Sequence, residues 1–236
     1  MFSTCSFALA LGLAAYLSAS CLRAPFRVRA TRLWKQDRLG FLVDSQATTA
    51  AQGVLVATAA YHAAVALALT PRDTTAKLDA GVVHRLCPNA AHVSPRYLSW
   101  NAYTAACLVL VLCVGAPVRL AAYGGLGRNF TFRLARPDRL VTTGVYRHLQ
   151  HPSYTGQLAL LGDYGALLGC WLAPAGVAQW VLGGPSGVAI HLVGTAAILW
   201  KLWQRVQDEE AMLRATFGRE WEDWHTKTKR FVPGVF

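Results

Sequence analysis

Residues 97–120 read YLSWNAYTAACLVLVLCVGAPVRL, and Arg119 is the only charged side chain among them. A helix rises 1.5 Å per residue, so about 20 mostly apolar residues cross the roughly 30 Å of a bilayer's hydrocarbon. This run has that length. Four others like it lie outward along the chain, at Phe2–Leu22, Thr48–Thr70, Gly156–Leu172 and Ser186–Trp203. The expectation is an all-α, multi-span transmembrane protein with about five spans. The stretch 173–184 is apolar but broken by Pro174 and bounded by Gly183-Gly184-Pro185, which fits a short luminal helix or an extension of its neighbours.

Composition agrees. Of 236 residues 54% are hydrophobic and 15% charged, against roughly a quarter charged in a soluble domain. The formal charge of +11 would suit nucleic acid if it lay on one soluble face, but the cations fall between the apolar runs and read as topology signals. Nineteen lie after the first, third and fifth runs or in the last residues of the third and fifth: Arg23 to Arg38, Arg119 to Arg147, and Lys201 to Arg230. Four follow the second run, at Arg72, Lys77, Arg85 and Arg96, and none separates the fourth from the fifth. That bias predicts an external N-terminus and a cytosolic C-terminus, and an odd number of spans likewise puts the two termini on opposite sides. No Lys or Arg precedes Arg23, so the first run reads as an uncleaved anchor and not a signal peptide. The six cysteines show no metal-ligand spacing and read as reduced packing residues. Gly165 and Gly169 make a small-xxx-small step suited to packing between helices of one chain.

Two segments on the cytosolic side hold most of the residues able to do chemistry. The first is residues 140–156, LVTTGVYRHLQHPSYTG. Pro152 disfavours helix at His151 and can open the next helix itself, leaving His151, Ser153 and Tyr154 near free N–H groups suited to a ligand carboxylate. An interfacial turn with tyrosine anchors would look the same. The second is residues 203–221, WQRVQDEEAMLRATFGREW, which reads as helix until Gly218. Arg205 and Glu209, four apart, share a face and offer a cation for an anionic substrate and a carboxylate for an ammonium group, or simply an exposed ion pair. Gly124-Gly125-Leu126-Gly127 lacks the strand of a dinucleotide-binding unit. His148 and His151 have no further ligand at metal spacing, so no metal is expected.

Taken together, Leu140-Val141 through Gly144-x-Tyr146, His151-Pro152-Ser153-Tyr154-x-Gly156, Arg205 with Glu209-Glu210, Phe217-Gly218-x-Glu220 and the closing Phe231-Val232-Pro233-Gly234 resemble the isoprenylcysteine carboxyl methyltransferase family and its relatives among membrane phospholipid methyltransferases. The resemblance runs from about Asn129 to the C-terminus, which divides the chain into N-terminal transmembrane helices, 1–122, and a methyltransferase-like region, 123–236. It implies an endoplasmic-reticulum membrane enzyme whose cytosolic pocket binds S-adenosylmethionine, with a lipid-side tunnel for the prenyl chain of a C-terminal cysteine on a partner protein. Leu140, Val141, Tyr146, His151, Pro152, Ser153 and Tyr154 would surround the cofactor, Glu209 would hold its amino group, and Arg205 would hold the substrate carboxylate, making Arg205 and Glu209 the catalytic pair. The chain departs from the family at Gln150, where relatives usually have Arg; Arg147 and Arg139 are the nearest substitutes. Trp221 and Trp224 stand where Tyr is commoner. Two other enzymes remain compatible, a phospholipid-amine methyltransferase needing a base such as His151 or Glu210 and a sterol-reductase-like enzyme that the pair Glu209-Glu210 fits poorly. A membrane scaffold is the non-enzymatic alternative.

Overall fold

Ser3 opens the first helix by accepting a hydrogen bond from the Ser6 N–H at 3.3 Å, a cap that supplies one of the N–H partners a helix start lacks. The computed structural model describes residues 3–23, 25, 32–34, 37, 45–69, 97–160 and 185–234. Helix α1 is Thr4–Cys21 and α2 is Ser45–Leu69, and the two pack against each other. A third helix, α3, covers Ala102–Asn129. Helical residues 152–160 form α4, Pro185–Phe217 form α5 and Arg219–Lys227 form α6. Among the described residues there is no strand, only isolated bridges at Leu33 with Ala135 and at Leu149 with Lys229.

Three helices among the described residues are long and apolar enough to cross a membrane: Thr4–Cys21, Gln46–Leu69 and Ala102–Asn129. They coincide with the first three expected runs. Of the fourth, only residues up to 160 are described; its remainder, including Gly165 and Gly169, and the stretch 173–184 lie outside the described residues. The fifth lies within α5, which continues without a break through the polar segment to Phe217. Gly218, at φ +53°, then separates α5 from α6. That conformation is easy for glycine and strained for other residues.

The core is apolar and shared. Phe7, Leu11, Ala14 and Cys21 of α1 meet Val65 and Ala66 of α2, Leu108, Val111 and Ala116 of α3, and Leu160 of α4. The outward sides are apolar too: Leu9, Leu13, Val54, Val56, Val109, Leu192, Val193 and Trp200 are all exposed. A helix apolar all round belongs in lipid or a large core, and these large apolar side chains stand exposed among the described residues.

Within α3 the sequence dictates a local irregularity. Asn101 and Thr104 form a reciprocal capping box at its start. Pro117 lacks an N–H and its ring would crowd the carbonyl four residues back. The helix widens to a π turn over Leu110–Gly115, and the Ala116 N–H bonds Val111 O. Just beyond, α3 and α4 come close enough that a Cβ on Gly156 would lie 2.6 Å from Gly115 O and 2.9 Å from Arg119 N. Helix α4 begins at Pro152, the residue expected to open it.

Candidate active site

The approach to α4 is fixed by a turn and then by the C-terminus. Gly144, at φ +62°, starts a 3-10 turn over Gly144–Arg147 that directs Tyr146 inward, where its hydroxyl donates to Ala122 O at 3.3 Å. The Gln150 and His151 N–H groups donate to Lys229 O (2.8 Å) and Arg230 O (3.0 Å). Gln150 itself is buried, and its Nε2 donates to His225 O (3.0 Å) and Thr228 O (2.8 Å). That orientation turns Oε1 toward His225 Nδ1 at 2.8 Å, so Nδ1 carries the proton. Thr155 Oγ1 donates to Phe231 O at 2.9 Å and Trp224 Nε1 to Tyr146 O at 3.2 Å. Gln150 is therefore a structural amide that spends its polar atoms on the closing segment.

Glu210 is the ionic centre of this closure. It accepts from Arg230 Nε (2.7 Å) and Nη2 (3.0 Å) and lies 3.2 Å from His151 Nε2. Burial raises the Glu210 carboxyl, but the hydrogen bonds from His151 and Arg230 outweigh it and bring the group to about 2. His151 is buried between Glu210, Tyr154 and Phe231. Its Nδ1 makes no hydrogen bond and lies 3.9 Å from a Glu209 oxygen.

Arg205 and Glu209 both border the same cavity and both act on the Tyr154 hydroxyl. The Tyr154 hydroxyl donates to Glu209 Oε2 at 2.8 Å. Burial first, and the adjacent Glu209 charge second, push the Tyr154 phenol well above its usual range, so it stays a donor. Burial likewise raises Tyr146. Arg205 is buried, ion-paired to Asp37 and donating to Phe132 O. Asp37 was not among the residues expected at the site, and nothing local in its sequence marks it.

Arg119 was counted with the basic loop residues, yet it is 7% exposed. Its Nε donates to Cys21 O at 3.0 Å, and Nη1 donates to Ser153 O (3.0 Å) and Ser153 Oγ (3.1 Å). Its guanidinium lies 5.3 Å from the Tyr123 ring centre and 5.8 Å from that of Phe132. One side chain thus joins α1, α3 and the start of α4. The available sequence signal was a lone cation in an otherwise uncharged run.

These side chains line a cavity of about 820 Å³. Leu140, Val141, Tyr146, His151, Ser153, Tyr154, Arg205 and Glu209 all border it, as do Arg119 and Arg139. Pro152 is fully buried and is not a lining residue; it shapes the turn. Arg147 is exposed and does not line the cavity either. The lining is otherwise largely apolar, with Leu22 beyond α1, Ala47 and Ala51 of α2, and Ile198 and Leu202 in the turns of α5 before Arg205 and Glu209. The donor set fits a sulfonium amino acid: a carboxylate at Glu209, tyrosine rings beside it that tolerate a cation, and a buried imidazole nitrogen with no hydrogen bond.

Comparison with known proteins gives the same direction. Residues 107–215 match the isoprenylcysteine carboxyl methyltransferase (ICMT) family. A probable protein-S-isoprenylcysteine O-methyltransferase of Oryza sativa subsp. japonica is 33% identical over 133 residues, 54% of this chain and 60% of its own. The protein-S-isoprenylcysteine O-methyltransferase of Dictyostelium discoideum is 29% identical over 131 residues, 53% of this chain and 48% of its own. That of Schizosaccharomyces pombe is 28% identical over 129 residues, covering 52% and 46%. The matches thus span about half the length of these curated relatives. No solved structure matches the chain. The part of the chain that resembles the isoprenylcysteine carboxyl methyltransferase family contains Arg119, the His151-Pro152 turn, Arg205 and Glu209.

Proposed function

We propose that this protein transfers the methyl group of S-adenosylmethionine to the C-terminal carboxylate of an isoprenylated cysteine, at the cytosolic face of the endoplasmic-reticulum membrane. The observation that carries this reading is the convergence of Arg205, Glu209 and Tyr154 on one cavity whose remaining lining is largely apolar. A lipid-modified carboxylate needs both a polar end and a greasy one.

When bound, the cofactor supplies an electrophilic methyl on a sulfonium centre. Glu209, oriented by the Tyr154 hydroxyl, would receive its ammonium group, and Leu140, Val141, Tyr146, His151 and Ser153 would enclose the rest. A C-terminal carboxylate has a pKa of about 3.3 to 3.7, so it is already the nucleophile at neutral pH and no general base is required. Arg205 then holds the carboxylate in line, and positioning carries the rate. In the same reading residues 123–236 provide the catalytic region and 1–122 the lipid-facing helices, with about five spans and a cytosolic C-terminus. The charge bias between the apolar runs supports that orientation.

The test is transfer of radiolabelled methyl from S-adenosylmethionine to N-acetyl-S-farnesylcysteine in membranes containing the protein, with phosphatidylethanolamine as a parallel acceptor. Base-labile label on the farnesylcysteine is expected, falling roughly 100-fold in Arg205→Ala and Glu209→Ala, the scale on which lost positioning acts. Label on the phospholipid alone would replace this reading with amine methylation, and label on neither acceptor would reject both.

A further inference from the structure

Arg205 is already paired, and its partner comes from the far end of the sequence. Asp37 lies 168 positions away, between α1 and α2. Both side chains are shielded, at 8% and 6% exposure. One Asp37 oxygen meets Arg205 Nη1, the other accepts the Leu134 N–H at 2.8 Å, and Arg205 Nη2 donates to Phe132 O. Asp37, Arg205 and the 132–134 backbone therefore close a ring of bonds beside the cavity. The connector is fastened to the same loop by Trp34 N–H to Leu134 O at 2.8 Å, Arg136 N–H to Arg32 O at 2.9 Å and an Arg32–Asp138 ion pair at 2.7 Å.

We infer that Asp37 is a positioning residue for methyl transfer, acting through Arg205; the inference rests on the carboxyl-methylation reading above. A guanidinium is a rigid planar fork of five N–H donors. With Nη1 on Asp37 and Nη2 on Phe132 O, the guanidinium is held in one orientation at the cavity it lines, beside Tyr154. Without Asp37 a shielded cation would keep its charge but lose its counter-ion. It would then rotate toward any carboxylate that entered and form a full ion pair with it. Such pairing strengthens binding of the carboxylate but withdraws electron density from the oxygen that must attack the methyl group. Interactions that favour the ground state as much as the transition state give no gain in kcat. Asp37 shares the Arg205 charge, so the substrate is oriented without being neutralised.

Charge and shape make opposite predictions for two substitutions. Asp37→Asn keeps the size and removes the charge; Asp37→Glu keeps the charge and adds a methylene. Using N-acetyl-S-farnesylcysteine as substrate, Asp37→Asn should lower kcat about tenfold, a modest share of what mispositioning can cost, while KM falls. Asp37→Glu should retain more kcat than Asp37→Asn. Binding of S-adenosylmethionine, measured directly by calorimetry on detergent-solubilised protein, should stay within about twofold in both, because Glu209 and not Arg205 faces its ammonium group. A kcat for Asp37→Asn equal to the unaltered protein's would overturn the inference. So would joint loss of activity and cofactor binding, which marks a residue needed only for folding. If the unaltered protein fails to methylate farnesylcysteine, the functional reading itself has failed, and that result is visible before any variant is made.

Discussion

The α1–α2 pair and the described residues of 140–160 and 185–234 are held together by different means. The first pair is joined by apolar contact: Phe7, Leu11, Ala14 and Cys21 against Val65 and Ala66, with occasional polar additions such as Gln52 Nε2 to Ala19 O at 2.8 Å. The second is joined by directed bonds from Gln150, Thr155, Trp224, Glu210 and Arg230, each with a specified donor and acceptor. Apolar packing needs about the right volume and little else. A bonded network needs each partner, because a shielded polar group left alone costs its full desolvation. The difference teaches where residue identity matters in this molecule: in the bonded half and along the α3–α4 contact that supports it.

The sharpest way to break that contrast is with two identical substitutions. Gly53 on α2 has nothing within 4 Å of where a Cβ would be, whereas on Gly156 of α4 a Cβ would meet Gly115 O at 2.6 Å, Arg119 Cβ at 2.8 Å and Arg119 N at 2.9 Å. Two of those three neighbours are backbone, which can yield only by parting the helices. Gly156→Ala should cost about 3 kcal/mol, at the upper end of overpacking effects, and should displace Arg119 from Ser153. Gly53→Ala should be neutral or slightly favourable, by the roughly 0.5 to 1 kcal/mol separating the two residues in helices. Thermal unfolding in detergent compares them directly. Equal stability of the two variants would mean that α3 and α4 do not meet at Gly156.

What the sequence revealed follows the same division. The three candidate spans were legible because a bilayer tolerates few charges over 20 residues, a constraint written into composition. Pro152 as a helix start and Gly218 as a helix break were legible because each residue restricts or frees its own backbone. Arg205 and Glu209 could be placed on one face because α-helical spacing relates positions four apart. Asp37 with Arg205, and Glu210 with Arg230 across a helix end, follow no periodicity; they depend on how distant segments pack. Arg119 illustrates the limit well. Its position at the end of an apolar run suited a topology signal, but the α3–α4 crossing turns it inward to Cys21 and Ser153. Gln150 read as a missing cation because its own neighbours gave no hint of Thr228 and His225.

Gln150→Ala probes the bonded half at its middle. It deletes two donors and one acceptor and leaves the His225 and Thr228 carbonyls to find other partners. The expected cost is about 1 to 3 kcal/mol, concentrated on release of residues 228–234 from the turn before α4. Lys227, Lys229 and Arg230 should then become trypsin-sensitive in the folded protein, with α1–α2 cleavage unchanged. Unaltered cleavage at these sites would show that the backbone bonds of Gln150 and His151 to Lys229 and Arg230 suffice to hold the segment.

The smallest expected effect is a pH dependence confined to the same half. Glu210 has a pKa of about 2 in the folded protein against 4.5 for the ordinary side chain. A depressed folded value means that the unfolded chain binds the proton first, so the stabilisation is complete above about pH 4.5 and is lost as pH falls toward 2. The carboxylate is 15% exposed and Arg230 31% exposed, so screening reduces the contribution to the order of 1 kcal/mol. Glu210→Gln should be less stable than the unaltered protein at neutral pH, and the gap should narrow between pH 4.5 and 2.5 as the Glu210 carboxylate of the unfolded chain takes up a proton that the folded protein does not. A gap that stays constant through that window would assign the stabilisation to shape and hydrogen bonding alone, and would remove the ionic pairing of Glu210 with Arg230 from the account of what closes this end of the molecule.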